Sequence, residues 1–340
     1  MISFLNDYSE GAHPRVLEML TRANLEQNAG YGEDVHSQRA KEYIKKSIGR
    51  NDVDIHFMAG GTQTNLVVIS SFLRPHHCVI SAETGHINVH ETGAIEATGH
   101  KVVVAAGEQG KLTPESIQAV IDYHSDEHMV LPKMVYLSNS TELGTVYTKK
   151  ELTAIHEVCK KNGLFLFLDG ARLASALTCK ENDLTLGDIA RLVDVFYIGG
   201  TKNGALLGEA LVICREELKE EFRYLIKQRG ALLAKGFVMG IQFEALFQDN
   251  LYFELGKHAN EMAEKLAVIL KNCGYSFYVP PCTNQLFPIL PVKTVDKLLQ
   301  EFKFYVQNEV DERHYAVRLV TSWATTRESV DKFQDFLENL

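Results

Sequence analysis

The 340-residue sequence predicts an α/β fold, with a large domain built on a mostly parallel sheet and a smaller α+β domain at the carboxyl end. Between about residues 55 and 215, short apolar runs alternate with helical patterns. This alternation is typical of parallel strands joined by right-handed crossovers. After residue 215 the pattern changes to long helical segments followed by short strand-like pieces. A chain of this length is also expected to form two domains, at roughly 150 residues each.

Seven runs in the first part of the chain are rich in β-branched and aromatic residues and apolar at nearly every position. Such runs indicate strands that are buried on both faces. The predicted strands are 55–59, 78–82, 101–106, 133–138, 164–169, 194–199 and 209–214. Helices are predicted between them over 113–125 and 148–163. The second of these helices opens with a capping box, Thr148 and Glu151, and ends at Gly163.

The last third of the chain has the pattern of a smaller α+β domain. An amphipathic helix is predicted over 255–274, closed by Gly274. Strand-like pieces follow at 279–290 and 316–323, and a last helix begins at Glu328.

Composition excludes several classes of function. The chain carries 35 basic and 44 acidic residues, a net charge of −9, so it lacks the basic character of a general nucleic-acid binder. No apolar stretch approaches the roughly 18 residues of a membrane span, and the amino terminus does not resemble a secretory signal. The six cysteines are scattered singly, as expected for thiols of an intracellular protein. We therefore expect a soluble, cytoplasmic protein.

The candidate site lies where the strands end, because ligands of open parallel sheets bind beyond the carboxyl ends of the strands. The first strand ends at Gly60-Gly61, and a helix is predicted to begin at Thr62. Glycines let the backbone approach an anion, and the free N–H groups at a helix start favour phosphate. Alone, this turn fits a phosphate site and a plain strand–helix connection equally well. No GxGxxG or GxxxxGK motif indicates a dinucleotide or P-loop site.

Charged residues follow two other apolar runs. Asp169 comes directly after LFLFL, so its carboxylate caps backbone amides or holds a cationic nitrogen. Arg172 is a candidate partner for it or for a ligand. Lys202 lies at another strand end, between Gly200 and Gly204. Most lysines are solvated surface charges, but an amine at a buried strand end can have a depressed pKa and bind an aldehyde covalently.

A phosphate turn, a strand-end carboxylate and a strand-end lysine together match the needs of one cofactor. Pyridoxal 5′-phosphate needs a phosphate cradle, a carboxylate beside its pyridine nitrogen and a lysine that holds its aldehyde. The stretch 137–213, which contains DGARL and GGTKNG, resembles the threonine aldolase family of pyridoxal-phosphate enzymes. The similarity extends from LNDYSEGAHP to VRLVTSW, nearly the whole chain.

The resemblance implies a fold type I enzyme whose large domain has a mainly parallel, seven-stranded sheet. It implies an aldehyde-lyase that cleaves L-threonine, L-allo-threonine or a related β-hydroxy-α-amino acid such as phenylserine to glycine and an aldehyde. An aminotransferase or a β-eliminating lyase remains the alternative, because these enzymes share the lysine and the aspartate. The family also implies a homotetramer built from dimers, with a small amino acid as substrate and no nucleic-acid or membrane partner.

The resemblance also implies roles for individual residues. Lys202 matches the lysine that carries the cofactor, and Asp169 matches the carboxylate beside the pyridine nitrogen. His86 matches the histidine that stacks on the cofactor ring, and it is the candidate base. Arg172 matches the arginine near the cofactor's phenolic oxygen and the substrate carboxylate, and Arg318 matches the arginine that binds that carboxylate.

Other matching positions surround these residues. Tyr31 lies in the family's tyrosine–glycine–acidic turn near the active site. In this family a cation from a neighbouring subunit touches the phosphate, and Lys235, with either Lys227 or Arg229, matches it. The phosphate turn itself matches Gly61, Thr62 and Gln63.

Two segments depart from the family pattern. Many members open with an arginine–serine–aspartate triplet, where this chain has Leu5-Asn6-Asp7, and we expect Asn6 to contact the substrate. Many members also carry a histidine in a Glu-Asn-Thr-His-Asn motif, where this chain has Ser138-Asn139-Ser140-Thr141-Glu142. A subgroup that resembles phenylserine aldolases has this variant. Glu142 is therefore a second, weaker candidate for the base.

A metal site is the other interpretation of the histidines. His86 and His90 are four residues apart, with Glu91 adjacent, and two histidines at that spacing on a helix can share a metal ion. No further group with ligand spacing supports such a site, so none is predicted.

We expect three segments along the chain. Residues 1–50 are expected to pack with the small domain and the active site. Residues 51–245 are expected to form the large cofactor-binding α/β domain, and residues 246–340 the small α+β domain.

Overall fold

The structure of the protein is a computed structural model that describes residues 1–340. The strands are β1 (Ile2–Ser3), β2 (Asp54–Met58), β3 (His77–Ala82), β4 (Lys101–Ala105), β5 (Leu131–Ser138), β6 (Phe165–Asp169), β7 (Val195–Gly199), β8 (Glu209–Ile213), β9 (Gln285–Leu286), β10 (Ile289–Pro291), β11 (Phe302–Lys303), β12 (Tyr305–Asp311) and β13 (His314–Val320). The helices are α1 (Pro14–Ala23), α2 (Val35–Ile48), α3 (Gly61–Phe72), α4 (His86–Val89), α5 (Pro114–Tyr123), α6 (Lys149–Asn162), α7 (Leu173–Thr178), α8 (Leu186–Leu192), α9 (Phe222–Gln228), α10 (Phe237–Gln248), α11 (Leu251–Asn272), α12 (Val292–Leu298) and α13 (Arg327–Glu338).

The large sheet has seven strands in the order β2-β8-β7-β6-β5-β3-β4. Only β8 is antiparallel to its neighbours, and all other pairs along the sheet are parallel. The seven strands are those predicted, so the mostly parallel, seven-stranded sheet is confirmed. The predicted capping box of α6 and its left-handed Gly163 are also present.

Hydrophobic clusters cover both faces of this sheet, which explains why its strands are apolar at nearly every position. Side chains along a strand point to alternate faces. Leu166 and Leu168 of β6 therefore pack with α6 and α10, whereas Phe167 packs with α3 on the opposite face. Tyr136 of β5 and Tyr197 of β7 lie on the same face as Phe167. Because of this alternation, side chains at the strand ends can contact one another only when they lie on the same face of the sheet.

The smaller sheet belongs to the carboxyl-terminal part of the chain. It pairs β10, β13 and β12 in that order, with β9 also pairing to β13. A separate cluster of 18 buried residues fills this part, with contributions from α11, α13 and β13. The predicted smaller α+β domain is therefore present.

Helix α11 begins earlier than predicted, at Leu251 instead of 255. Leu251 and Tyr252 are buried in the large core, the cluster on the face of the seven-stranded sheet that contains Leu166 and Leu168. Met262 and Leu266 of the same helix are buried in the small core, the 18-residue cluster of the carboxyl-terminal part. Asn250, with φ 64°, separates α11 from α10. The helix thus spans both cores.

The opening segment divides between the two cores. Strand β1 pairs with β11, and Phe4 lies in the small core. Helices α1 and α2 instead pack against α10, and their apolar residues belong to the large core. The boundary expected at residue 245 falls inside α10, and the three-part division stays a prediction. No helix combines the length and the apolar character that crossing a membrane requires.

Candidate active site

The carboxyl ends of the parallel strands gather the predicted site residues at one edge of the large sheet. Ser138 of β5 pairs with Asp169 of β6. Glu209, the first residue of antiparallel β8, pairs with Met58 of β2 and with Gly199 of β7. The turns that follow β2, β5, β6 and β7 therefore lie side by side, as expected for a ligand site in this class of fold.

Asp169 is buried at the centre of this edge. Its Oδ1 accepts hydrogen bonds from the Tyr197 hydroxyl at 2.5 Å and the Ala171 N–H at 3.0 Å. Its Oδ2 accepts from the Tyr136 hydroxyl at 2.5 Å and from Asn65 Nδ2 at 3.2 Å. Burial and the Asp169 charge raise the pKa of both tyrosines well above its usual range, so both hydroxyls stay protonated and donate. Asp169 is thus a fixed, fully oriented carboxylate.

Lys202 lies in the turn after β7, within the electrostatic range of Asp169. Burial and the nearby Arg172 lower the pKa of its amine. A lowered pKa raises the fraction of neutral, nucleophilic amine at a given pH. The turn itself is held by Glu209, whose carboxylate accepts hydrogen bonds from Gly200 N–H at 3.0 Å and Thr201 Oγ1 at 2.9 Å.

Helix α3 begins at Gly61 in this edge of the sheet, one residue before the predicted start. No side chain caps it, and the N–H groups of residues 61–63 have no partner within the helix. The Gln63 amide oxygen accepts a hydrogen bond from Ala59 N–H at 3.1 Å. A Cβ on Gly61 would lie 3.0 Å from the Tyr197 hydroxyl. The unpaired N–H groups at the start of α3 are therefore close to the Tyr197 hydroxyl, which donates a hydrogen bond to Asp169.

A chain of polar contacts joins His86 to Asp169. His86 Nδ1 lies 2.8 Å from Glu91 Oε1, and the same oxygen accepts a hydrogen bond from Asn65 Nδ2 at 2.7 Å. Asn65 also donates to Asp169. Glu91 is fully buried, whereas 34% of the His86 side chain is exposed. The carboxylate thus fixes the ring through Nδ1 and leaves Nε2 without a hydrogen-bond partner in a partly exposed side chain.

Glu142 lies beside His86. Its Oε1 accepts hydrogen bonds from the His86 N–H at 2.9 Å and from Ser138 Oγ at 2.6 Å. Burial raises the pKa of this carboxyl above its usual range. The second candidate base of the sequence analysis therefore lies in the same site, in an environment that favours its protonated form.

Arg172 heads helix α7 and is held by Asp7 from the opening segment. Its Nε and Nη2 donate to the two Asp7 oxygens at 2.7 and 3.0 Å, a bidentate pair. Asn284, from the loop before β9, donates to Asp7 Oδ2 at 2.9 Å. Burial opposes the charge on Asp7, but Arg172 and Lys202 outweigh it and hold the Asp7 pKa below its usual range. Three distant parts of the chain thus meet at this arginine.

Arg318 of β13 supplies another cation. Its guanidinium lies 5.1 Å from the centre of the Tyr305 ring, and its Nε is buried without a hydrogen-bond partner. Burial and the nearby Arg172 lower its pKa. A buried, unpaired guanidinium N–H beside a second arginine is a receptor for an anionic group.

Other predicted positions lie differently. Asn6 Oδ1 accepts hydrogen bonds from Tyr8 N–H at 3.0 Å and Ser9 Oγ at 2.9 Å, so this side chain forms a local turn. The next residue, Asp7, is the one that reaches into the site. The predicted contact between Asn6 and substrate stays a prediction.

Tyr31, Lys227 and Lys235 form a second group, on the surface. The Lys227 ammonium lies 4.7 Å from the centre of the Tyr31 ring, and Tyr31 N–H donates to Ala234 O at 3.0 Å, next to Lys235. The Tyr31 side chain is exposed. No hydrogen bond or ion pair of this group reaches Asp169 or Lys202 in the same chain.

Several residues that hold the site in place have supporting contacts that the sequence does not reveal. Tyr136 and Tyr197 lie inside apolar strands and resemble ordinary core residues. Their position two residues before a strand end was the only available signal, because it places them on the face of Asp169. Asp7, Asn65 and Asn284 offered no local signal, because each acts on a residue far away in the chain. Glu91 and Glu209 act on nearer residues, His86 for the first and Gly200 and Thr201 for the second, but no motif marks these contacts.

The metal interpretation of the histidines finds no support in the geometry. The rings of His86 and His90 are 5.5 Å apart, and His86 Nδ1 is already engaged by Glu91. These three side chains do not bring their ligand atoms together within coordinating range.

Comparison with known proteins decides the family. The sequence pattern of the beta-eliminating lyases matches residues 4–291. The chain belongs to this family. The low-specificity L-threonine aldolase of Pseudomonas aeruginosa is 33% identical over 96% of this chain and 94% of that protein. The corresponding protein of a Pseudomonas species is 33% identical over 89% of this chain and 88% of its own length.

Solved structures agree with these relatives. A threonine aldolase of Leishmania major has a TM-score of 0.98 and 52% identity, and the match covers 100% of this chain and 99% of that one. An aspartate aminotransferase of Thermus thermophilus has a TM-score of 0.76 at 16% identity, covering 100% and 91% of the two chains. At that identity the aminotransferase shows only the shared fold, which is fold type I.

Pyridoxal 5′-phosphate is the cofactor of this threonine aldolase family, and the residues present fit it. The free N–H groups at the start of α3 suit its phosphate, and the oriented Asp169 carboxylate suits its pyridine nitrogen. Lys202, with its lowered pKa, suits the aldehyde. All three lie at one edge of one sheet.

Proposed function

We propose that this lyase cleaves L-threonine, L-allo-threonine or a related β-hydroxy-α-amino acid, such as phenylserine, to glycine and an aldehyde. What supports it most is the meeting of Lys202, Asp169 and the Arg172–Arg318 pair at one edge of the sheet. The Pseudomonas aeruginosa and Leishmania major relatives are named threonine aldolases. The aminotransferase alternative has only a shared fold in its favour.

When bound, pyridoxal 5′-phosphate draws electrons away from the bonds of the substrate α-carbon. We assign its aldehyde to Lys202, its nitrogen to Asp169 and its phosphate to residues 61–63. Tyr136 and Tyr197 keep the Asp169 charge in place, because both stay protonated and donate to it. A carboxylate that is already oriented stabilises a neighbouring cationic nitrogen without further reorganisation.

Arg318 and Arg172 bind the substrate carboxylate in this proposal. The buried Nε of Arg318 has no partner within the chain, and Arg172 is oriented by two hydrogen bonds to Asp7. A guanidinium fork fixes the direction of a carboxylate, which a lysine ammonium does not. By fixing the carboxylate, the two arginines therefore decide which bond of the α-carbon is positioned for cleavage.

His86 removes the proton from the substrate β-hydroxyl, directly or through a water. Glu91 holds Nδ1 at 2.8 Å, so we assign proton transfer to Nε2, the ring nitrogen without a hydrogen-bond partner. A neutral imidazole is a competent base near pH 7. As this proton leaves, the hydroxyl oxygen forms the new carbonyl and the Cα–Cβ bond breaks. The electron pair of that bond stays with the α-carbon, which takes up a proton to become glycine.

We assign Glu142, which contacts His86 and Ser138, to recognition of the substrate side chain. Its raised pKa favours the neutral acid, which can donate a hydrogen bond to the leaving aldehyde oxygen. It stands in the segment where many relatives carry a histidine. We infer that the aldehyde side of this pocket differs from theirs and that aromatic β-hydroxy amino acids such as phenylserine are accepted.

Product analysis tests the proposal. The purified enzyme is supplied with L-threonine, L-allo-threonine or L-phenylserine, and glycine is measured together with acetaldehyde or benzaldehyde. Aldehyde and glycine in equal amounts support the aldolase. Amino transfer that requires a keto acid and releases no aldehyde would contradict it.

Lys202 has its own test. Borohydride reduction should fix the cofactor to the peptide that contains Lys202, and Lys202→Ala should abolish that attachment. Mass spectrometry of the digested protein makes the assignment, and Lys219→Ala is a control at a distant lysine. Cofactor fixed to another lysine in the wild-type protein would overturn the assignment.

We also propose a homotetramer of two dimers, in which a second copy supplies Lys235, with Lys227 or Arg229, to the cofactor phosphate. The exposed position of Tyr31 and Lys227, apart from the rest of the site, supports an origin in the neighbouring subunit. A cytoplasmic location is proposed as well. It is supported by the six unpaired cysteines, which are typical of a reducing compartment.

A further inference from the structure

A second group of ligating side chains lies outside the active site, at the far end of α7. Cys179 follows this helix, Glu181 comes two residues later, and Cys282 lies in the loop before β9. One ligand atom from each lies within 4.8 Å of the other two. The two cysteines are 103 positions apart, so no spacing in the sequence indicates the cluster.

Two of the separations within this cluster are those of ligands around one tetrahedral ion. Cys282 Sγ lies 3.8 Å from Cys179 Sγ and 3.4 Å from Glu181 Oε2. Zinc binds sulfur at about 2.3 Å and carboxylate oxygen at about 2.0–2.2 Å, which places two sulfurs about 3.8 Å apart and a sulfur and an oxygen about 3.5 Å apart. A disulfide would need the sulfurs at about 2.05 Å.

The burial of the three side chains also suits a bound cation. Cys179 is buried, Cys282 is partly buried and Glu181 is exposed. An ion can therefore enter from the side of Glu181, and solvent can supply a fourth ligand there. Two thiolates and one carboxylate carry more than enough negative charge for a divalent cation, and sulfur ligands favour zinc over magnesium or calcium.

We propose that Cys179, Glu181 and Cys282 form a binding site for a thiophilic divalent cation, with Zn²⁺ as the fitting ion and a water as its fourth ligand. Coordination of both sulfurs as thiolates releases two protons to solvent and transfers no electrons. The site is separate from the active site, and it does not depend on the proposed function.

The position of this site gives it a role in holding α7 and the loop before β9 together. Cys179 ends α7, the helix that Arg172 begins. Cys282 is two residues before Asn284, which donates to Asp7, the partner of Arg172. An ion bound here would join the end of α7 to the loop before β9, which are distant in the chain. Binding to the folded state alone stabilises it, so the cation should raise the unfolding temperature.

A Cd²⁺ titration of the fully reduced holoenzyme tests the proposal. Ultraviolet difference absorption reports thiolate-to-cadmium charge transfer, and native mass spectrometry counts the ions per chain. We expect charge-transfer absorption that saturates at one Cd²⁺ per chain and is lost when a chelator of divalent cations is added. The unfolding temperature should rise over the same range of cation concentration.

Single substitutions locate the site. Mutation of a residue that only hydrogen-bonds to a metal ligand lowers metal affinity roughly 10–100-fold. Cys282→Ser removes a direct ligand, so it should lower the affinity at least as much. Glu181→Gln should also weaken binding while keeping the charge-transfer signal. Cys273→Ser is the matched control, because Cys273 is exposed, lies outside the cluster and should leave binding unchanged.

Two results would overturn the proposal. One is the absence of charge-transfer absorption when one equivalent of Cd²⁺ is added to the reduced wild-type enzyme. The other is a Cys282→Ser variant that binds Cd²⁺ as tightly as the Cys273→Ser variant. Both test positions are at least partly exposed, so neither substitution disturbs the buried core as Cys179→Ser would.

Discussion

At the scale of single residues, Asp169 shows how the fold prepares a buried charge for use. A carboxylate is costly to bury unless it is paired. Here two tyrosine hydroxyls, one amide and one backbone N–H surround it. These four donors hold the carboxylate in one orientation at the edge of the sheet.

Asp169→Asn should bind the cofactor but turn over substrate more slowly. A hydrogen bond to a charged group contributes about 1.5–3 kcal/mol, which corresponds to roughly 10- to 100-fold in rate. Steady-state kinetics of aldehyde release measure the loss, and cofactor absorption shows that binding persists. Near-normal turnover would mean that Asp169 only stabilises the fold.

Glu209 should make the stability of the cofactor-free chain depend on pH. Burial raises its pKa to about 8, from an ordinary value of 4.5. The folded chain therefore keeps a proton that the unfolded chain releases, and this group lowers the stability as pH rises from about 4.5 to about 8. Above that range its contribution changes no further.

Urea unfolding at about pH 5 and about pH 8 measures this contribution. Glu209→Gln should lose less stability between the two pH values than the wild type does, because the amide does not titrate. Glu216→Gln, at an exposed carboxylate, is the control and should keep the wild-type pH dependence. An unchanged difference in Glu209→Gln would show that Glu209 ionises normally.

At the scale of elements, the start of α3 is fitted closely against β7. A Cβ on Gly61 would lie 3.0 Å from the Tyr197 hydroxyl, which donates to Asp169. A Cβ on Gly60 would meet nothing within 4 Å, and its backbone is extended, a conformation that any residue adopts. Gly61 therefore has no room for a side chain, whereas Gly60 does.

Gly61→Ala should weaken cofactor binding, whereas Gly60→Ala should bind almost normally. The new methyl group displaces the Tyr197 hydroxyl and weakens its hydrogen bond to Asp169. A loss of about 1.5 kcal/mol corresponds to roughly tenfold in Kd. Titration of the apoenzyme with cofactor, followed by absorption, measures both variants, and equal affinities for the two would contradict this explanation.

The pair between Asp7 and Arg172 attaches the opening segment to the head of α7. Asp7→Asn would leave a buried guanidinium without its counter-charge, and breaking a buried pair in this way costs about 3–5 kcal/mol. Chemical denaturation should therefore show a clear loss of stability. Asp249→Asn, in the exposed pair with Arg15, is the control and should change stability little, as is usual for surface pairs. Similar small effects in both variants would show that the buried pair does not hold the segment.

At the scale of the whole molecule, the proposed shared site makes activity depend on assembly. Lys202→Ala and Lys235→Ala chains should each be inactive or weak alone. Randomly mixed dimers should regain about a quarter of wild-type activity, because half of them are hybrids and each hybrid has one intact site of two. Light scattering establishes the assembly, and mixtures that regain nothing would place Lys235 outside the neighbouring site.

The sequence alone determined the large domain and the centre of the site. Apolar runs identify buried strands because burial on both faces removes polar positions, and Asp169 and Lys202 are conspicuous because they end such runs. Local capping signals, such as Thr148 and Glu151, were also sufficient, since the residues that form them are near one another in the chain.

Only the tertiary structure decided how the site is supported. Asp7 meets Arg172 from a position 165 residues away, and Cys282 meets Cys179 from 103 residues away. No local pattern marks either contact, because each exists only after distant parts of the chain have packed. The placement of Tyr136 and Tyr197 around Asp169 likewise depends on strand register. Short-range periodicity therefore determines the elements, whereas packing brings together the charged and ligating groups that are distant in the chain.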